Sequence, residues 1–111
     1  MPDSVNIFRG KTTLLFFDYQ KASKILVPVE NQFKEAFTFQ IAGTKNDRGF
    51  KEAPAFIMDS LMIKGKLFAL VDTSGSVRNY YSPDTKDLKN MVEHLAIVLP
   101  QPKEKDIKIK Q

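Results

Sequence analysis

The sequence contains no cysteine, no tryptophan and a single histidine, His94. The first absence removes disulfides, cysteine-ligated zinc, iron–sulfur clusters, thiol redox chemistry and a cysteine nucleophile. It leaves the compartment open, because reducing and oxidising locations both tolerate a domain without cysteine. His94 lacks a second histidine or a thiolate with which to share a metal ion, and reads as a boundary residue between Met91 and Leu95. No apolar run approaches the roughly 18 residues that span a bilayer, and Met1 to Gly10 lacks the apolar centre of a signal peptide. Charge of one sign is also missing: 17 Lys and Arg are scattered among 13 Asp and Glu, and the net charge is +4. That balance is mild beside the clustered basic face of a nucleic-acid binder, which stands as the alternative reading together with an anionic membrane surface. Gly43 and Gly49 are too few and too far apart for a phosphate cradle, so Lys45, Asp47, Arg48 and Lys51 read as a solvated loop.

What is present suits one globular domain. The chain has 111 residues, 42% hydrophobic and 27% charged, with nine Phe and three Tyr as the bulk of a core. The organising stretch is Leu67 to Tyr81, LFALVDTSGSVRNYY. Its apolar first half and alternating second half flank Asp72, Thr73, Ser74 and Gly75, which predicts a β-hairpin whose first strand is covered on both faces. Tyr80 and Tyr81, as adjacent strand residues, point to opposite faces and serve sheet packing rather than a shared stacking platform.

Upstream, Val5 and Ile7 alternate as an edge strand, and Arg9, Gly10 and Lys11 make a turn. Thr12 to Tyr19, TTLLFFDY, reads as a buried central strand ended by Asp18 and Tyr19. From Ala22 the period changes: Ala22, Ile25, Leu26, Val29, Phe33 and Phe37 mark an amphipathic helix, with Pro28 either kinking it or marking its first turn. Phe37, Phe39 and Ile41 alternate into a second strand ended by Gly43. Gly43 to Ala53 is a polar loop, and Ala55 to Ile63 fits a short helix or a strand, with the helix preferred. A closing helix starts at Ser82 or Asp84, with Pro83 suited to its first turn. It buries Leu88, Met91, Val92, Leu95 and Leu99 and stops at Pro100 and Pro102. Residues 1–102 are expected to form the domain and 103–111 a mobile basic tail. This order of strand, helix, strand, link, hairpin and helix is the thioredoxin core layout: an α/β fold with a mixed sheet of about four strands, helices on both faces, and a right-handed crossover between the first two strands.

Two stretches resemble a known family. Phe8-Arg9-Gly10-Lys11 before TTLLFFDY is similar to the turn that leads redoxins into their first central strand. Leu70-Val71-Asp72-Thr73-Ser74-Gly75-Ser76-Val77-Arg78-Asn79-Tyr80-Tyr81, followed by Asp84-Thr85 and a helix near Leu88, resembles the C-terminal part of the Sco/SenC proteins, thioredoxin-like copper chaperones of cytochrome c oxidase assembly. The convincing part covers about a third of the chain. The family binds copper through a C-x-x-x-C pair after the first strand and a histidine before the hairpin. Those cysteine positions fall here on Ala22 and Leu26, or on Ser23 and Val27 when counted back from Pro28, and the histidine position falls on Lys64. The resemblance therefore implies the fold without its metal and, for location, the cell envelope or periplasm.

Ser23 has no catalytic partner near it in sequence, and no nucleophile, base or metal site assembles. The expected function is therefore non-catalytic: a thioredoxin-like module without cofactor or metal that binds another protein. Membrane association is expected only if it is part of a longer anchored chain. The expected contact surface is the former active-site end, where Tyr19, Ala22, Ser23 and Ile25 meet Ile63 and Lys64.

Overall fold

The strand β1 (Thr12–Phe16) is buried at every position, and the rest of the architecture is arranged around it. The computed structural model describes residues 8–99. The expected strand at Val5 and Ile7, the stop at Pro100 and Pro102, and the tail 103–111 lie outside the described residues. After β1 come α1 (Tyr19–Phe33), β2 (Phe39–Gly43), β3 (Lys51–Glu52), α2 (Ala55–Leu61), β4 (Phe68–Val71), β5 (Val77–Tyr81) and α3 (Thr85–Val98). The sheet order is β3-β2-β1-β4-β5. β1 pairs parallel with β2, from Thr12 opposite Phe39 to Phe16 opposite Gly43, and antiparallel with β4, from Thr13 opposite Val71 to Phe16 opposite Phe68.

Both faces of β1 are covered, which explains why its sequence shows no polar alternation. Leu14 and Phe16 pack with Ala22, Leu26 and Phe33 of α1 and with Met91 and Leu95 of α3. Leu15 and Phe17 point the other way, into Phe8 and Ile57, Met58 and Leu61 of α2. The two long helices therefore share one face, and the short α2 with Phe8 covers the other. This corrects the simplest reading of the sequence, in which the segments beginning near Ala22 and Asp84 would sandwich the sheet between them. Thr13, fully buried, keeps its hydroxyl satisfied by accepting from the Gln40 amide at 2.9 Å and donating to the Lys11 carbonyl at 3.4 Å.

The sheet has five strands rather than about four. β3 is only two exposed residues, too short for periodicity to reveal, and its pairing with Ala42 and Gly43 lies inside the expected loop. That loop is tightened by Asn46, whose Oδ1 accepts from the amides of Arg48 and Phe50 at 3.1 and 3.0 Å. α1 begins at Tyr19, three residues before the apolar period suggests, because Asp18 caps it: Oδ1 accepts from the amides of Gln20 and Lys21. Pro28 thus lies inside the helix and not in its first turn. It sits on the solvent side, where water can satisfy the Lys24 carbonyl that loses its amide partner. Phe37 belongs to neither the helix nor the strand, since α1 ends at Phe33 and Phe37 is 90% exposed.

The hairpin forms as expected. Asp72 Oδ1 accepts from the amides of Ser74 and Ser76 at 2.9 and 3.1 Å and from the Ser74 hydroxyl at 2.6 Å, and Gly75 takes φ 90°. α2 resolves Ala55 to Ile63 as helix up to Leu61. Asp84 caps α3 by accepting from the Asp87 amide at 2.9 Å, while Asp87 Oδ2 reaches back to the Ser82 amide and hydroxyl at 2.8 and 2.9 Å. Pro83 lies ahead of the cap and not within the first turn.

Gly43 closes β2 directly against β1. A Cβ there would meet the Phe16 carbonyl oxygen and come within 2.7 Å of the Phe16 ring. Gly43→Ala is expected to destabilise the domain by about 2–3 kcal/mol in urea unfolding, because the clash falls on backbone that a central strand cannot move. Gly49→Ala probes only a surface turn, where the strain comes from a φ of 86° and no atom lies within 4 Å, and should cost less, about 1 kcal/mol.

Candidate functional site

Because β1 and β4 are antiparallel, the chain leaving Phe16 and the chain arriving at Phe68 emerge at the same end of the sheet. The Phe17 amide donates to the Leu67 carbonyl at 2.9 Å and extends the pairing one step beyond the strands. This bond joins the residue two before α1 to the residue just before β4.

Asp18 is committed to capping and stands exposed. Tyr19 is half-buried, its ring 5.8 Å from that of Phe16, and its phenol titrates above the usual range because of partial desolvation and the neighbouring Asp47 carboxylate. Ser23 is half-exposed. Tyr19 and Ser23 line an open groove of about 770 Å³ with Asp18, Lys45, Asn46 and Asp47. Ala22 is fully buried and offers a partner no side-chain surface, and Ile25 packs against the core on the α1 side. Across the seam, Met62 is 52% and Ile63 44% exposed. They stand in a turn closed by the Lys66 amide on the Ile63 carbonyl at 3.0 Å, with Gly65 at φ 84°. Lys64 is exposed. The six expected residues therefore divide: Tyr19, Ser23, Ile63 and Lys64 reach the surface, Ile25 does so in part, and Ala22 belongs to the core.

Among the described residues, Met58, Met62 and His94 do not converge on a metal site. Met58 is buried with α2 on one face of the sheet, while His94 stands on α3 on the other, and Met62 lies outside both clusters. Among the described residues no group of three or more His, Asp and Glu converges on a point. Of the two registers for the cysteine positions, Leu26 is core and Val27 is 38% exposed.

The two stretches that carry the family resemblance meet in space. The Gly10 amide donates to the Thr73 carbonyl at 2.8 Å, and Arg9 Nε donates to the Ser74 carbonyl at 3.4 Å. The turn before β1 is thus tied to the hairpin turn, at the opposite end of the sheet from the Phe17–Leu67 bond. The linear sequence shows two motifs but does not show that they touch.

One cluster had no clear signal in the sequence. The Tyr81 hydroxyl lies 2.7 Å from His94 Nδ1, and the Asn79 amide nitrogen lies 3.4 Å from the same atom. Alternation correctly turns Tyr81 toward α3 and Tyr80 toward α2. The pairing itself depends on the register of α3 against β5, which the intervening turn sets. Burial pushes the Tyr81 phenol up to about 12 from 10.0. A phenol whose folded pKa is raised contributes stability that is fully present below pH 10 and is lost as pH rises toward 12. Phenolate absorbance is expected to show a late step in that window, and Tyr81→Phe should remove both the step and its share of the alkaline loss of stability.

No family model matches the chain, and no curated protein matches it in sequence. Solved structures do. One similar structure is the thioredoxin domain of a thiol-disulfide oxidoreductase from Bacteroides vulgatus, with 24% identity, 81% of this chain and 82% of that chain covered, and a TM-score of 0.59. Another is a solution structure of a candidate thioredoxin from Neisseria meningitidis, at 14% identity over 82% of this chain and 78% of that one, with a TM-score of 0.50. These likenesses establish the fold: it is thioredoxin-like, and this chain adopts it without a cysteine at any position.

Proposed function

We propose that this protein is a thioredoxin-like binding module, without thiol redox or metal chemistry, that engages another protein through the end of the sheet joined by the Phe17–Leu67 bond. One observation carries the reading. Met62 and Ile63 stand exposed in the turn that leads to Leu67, whose carbonyl accepts from the Phe17 amide just ahead of α1, in a fold that has no thiol to protect or present. Tyr19 and Ser23 extend the surface into the groove, and Lys64 gives it a positive rim. Weak, reversible docking suits this small patch better than an obligate interface.

The Arg9–Gly10 turn bonded to the Asp72–Ser76 turn supports a relation to the Sco/SenC proteins, since it joins the two motifs that carry the resemblance. On that relation the module acts in assembly of a membrane enzyme in the cell envelope. No described helix is long and apolar enough to cross a membrane, so attachment there would come through the partner or through chain beyond the described residues.

Site-specific photo-crosslinking in the native host tests the surface. A crosslinker at Ile63 or Ser23 is expected to give a discrete adduct that is absent from Lys34 and Lys89. Ile63→Asp should weaken that interaction at least tenfold while changing stability by no more than about 0.5 kcal/mol, because the side chain is already exposed. Equal adducts from all four positions, or undiminished binding by Ile63→Asp, would overturn the proposal. Titration with Cu(I) against a competing chelator is expected to show no stoichiometric uptake, and uptake near one equivalent would restore a metal role.

A further inference from the structure

A second recess lies between β5 and the last turn of α3. It encloses about 230 Å³ and is lined by Leu70, Arg78, Asn79, Tyr81, His94, Ile97 and Val98. Its floor is buried and apolar, with Leu70 at 3% and Tyr81 at 1% exposure, and its outer wall is apolar although open to water, with Ile97 at 78% and Val98 at 40%. No acidic side chain lines it.

The acceptors of the recess, Asn79 Oδ1 and His94 Nδ1, are taken by neighbouring donors. The Tyr80 amide donates to Asn79 Oδ1 at 3.0 Å, which fixes the orientation of the Asn79 amide and leaves its NH₂ group toward His94. Asn79 Nδ2 and the Tyr81 hydroxyl then both approach Nδ1, at 3.4 and 2.7 Å, so that nitrogen accepts and Nε2 carries the ring N–H. His94 therefore has only an N–H left to offer. Arg78 supplies a guanidinium whose ion pair with Asp72, at 3.5 Å, uses one nitrogen of its fork and leaves further donors.

We propose that this recess binds a small monocarboxylate with a short apolar body, the carboxylate meeting Arg78 and the His94 Nε2–H and the body lying on Leu70 and Tyr81 against Ile97. Charge complementarity selects an anion, because the lining carries a cation and donors, and Asp72, the carboxylate that pairs with one nitrogen of Arg78, lies outside the lining. The apolar floor and wall select against inorganic anions, which gain nothing from them. The volume admits one ring or a short acyl chain, which excludes long-chain lipids.

Hexanoate and phenylacetate are the probes, titrated into the isotope-labelled full chain by NMR, with hexanamide and acetate as the neutral and tail-less controls. Saturable shifts are expected at Arg78, Asn79, His94 and Ile97, with binding at least tenfold weaker for both controls. Arg78→Met should weaken hexanoate binding about tenfold, the usual effect of removing a charge-assisted hydrogen bond. Ile97→Asp should abolish it by placing a carboxylate in the wall. Both side chains are exposed, so the fold survives either change and the amide spectrum verifies this. Shifts that are absent or spread over the surface would overturn the assignment. So would equal binding of hexanamide, or hexanoate binding that both variants leave unchanged.

Discussion

The pairing of β1 with β4 is the constraint on which this molecule depends. Four register pairs, from Thr13–Val71 to Phe16–Phe68, join two strands that are distant in sequence and buried on both faces. The polar side chains of these strands, Thr12 and Thr13, are buried with the rest, so each strand requires a neighbour on both edges and a cover on both faces. β2 and β5 supply the edges. α1 and α3 together supply one cover, and α2 with Phe8 the other. The asymmetry of two long helices on one face and one short helix on the other leaves the α2 side thinly roofed. Phe56, Met62 and Ile63 are exposed within or just after α2.

The same pairing positions the candidate surface. An antiparallel pair delivers the exit of one strand and the entrance of the other to one place, and the Phe17–Leu67 bond holds them there. In a protein with thiols such a place would carry chemistry. Here Ala22, Ser23, Leu26 and Val27 occupy the positions that the family resemblance assigns to cysteines, and Lys64 that of the histidine. What remains is shape: a capped helix start, an open groove and two exposed apolar side chains.

Much of this was legible in the sequence where one physical signal dominated. The unbroken apolar runs at Leu14 to Phe17 and Leu67 to Val71 imply doubly covered strands. Asp72 to Gly75 specifies its turn through one carboxylate and one positive φ, and the apolar period of α3 names its buried residues. Competing signals and very short ones hid the rest. Phe37 fits both a helical and a strand period, yet is exposed because α1 ends at Phe33. Asp18 looked like a strand end because its capping role appears only once the helix start is known. β3 has two residues, too few for any pattern. The face on which each helix packs is not written in its own period, which gives a stripe but no direction. This is why α3 was expected opposite α1 and instead lies beside it. At the site, the approach of the Phe17 and Leu67 backbones follows from strand pairing, whereas the burial of Ala22 and the Tyr81–His94 contact required the packed helices.

Native-state amide hydrogen exchange tests the central claim most directly. If the β1–β4 pair holds the fold together, the amides of Leu14, Leu15, Ala69 and Leu70 exchange only through global unfolding, with opening free energies equal to the stability measured by denaturant. Lys51 and Glu52 should then exchange through local opening at a much lower free energy. Exchange of the β1 and β4 amides through local opening, while β2 or α3 remained protected, would contradict the account.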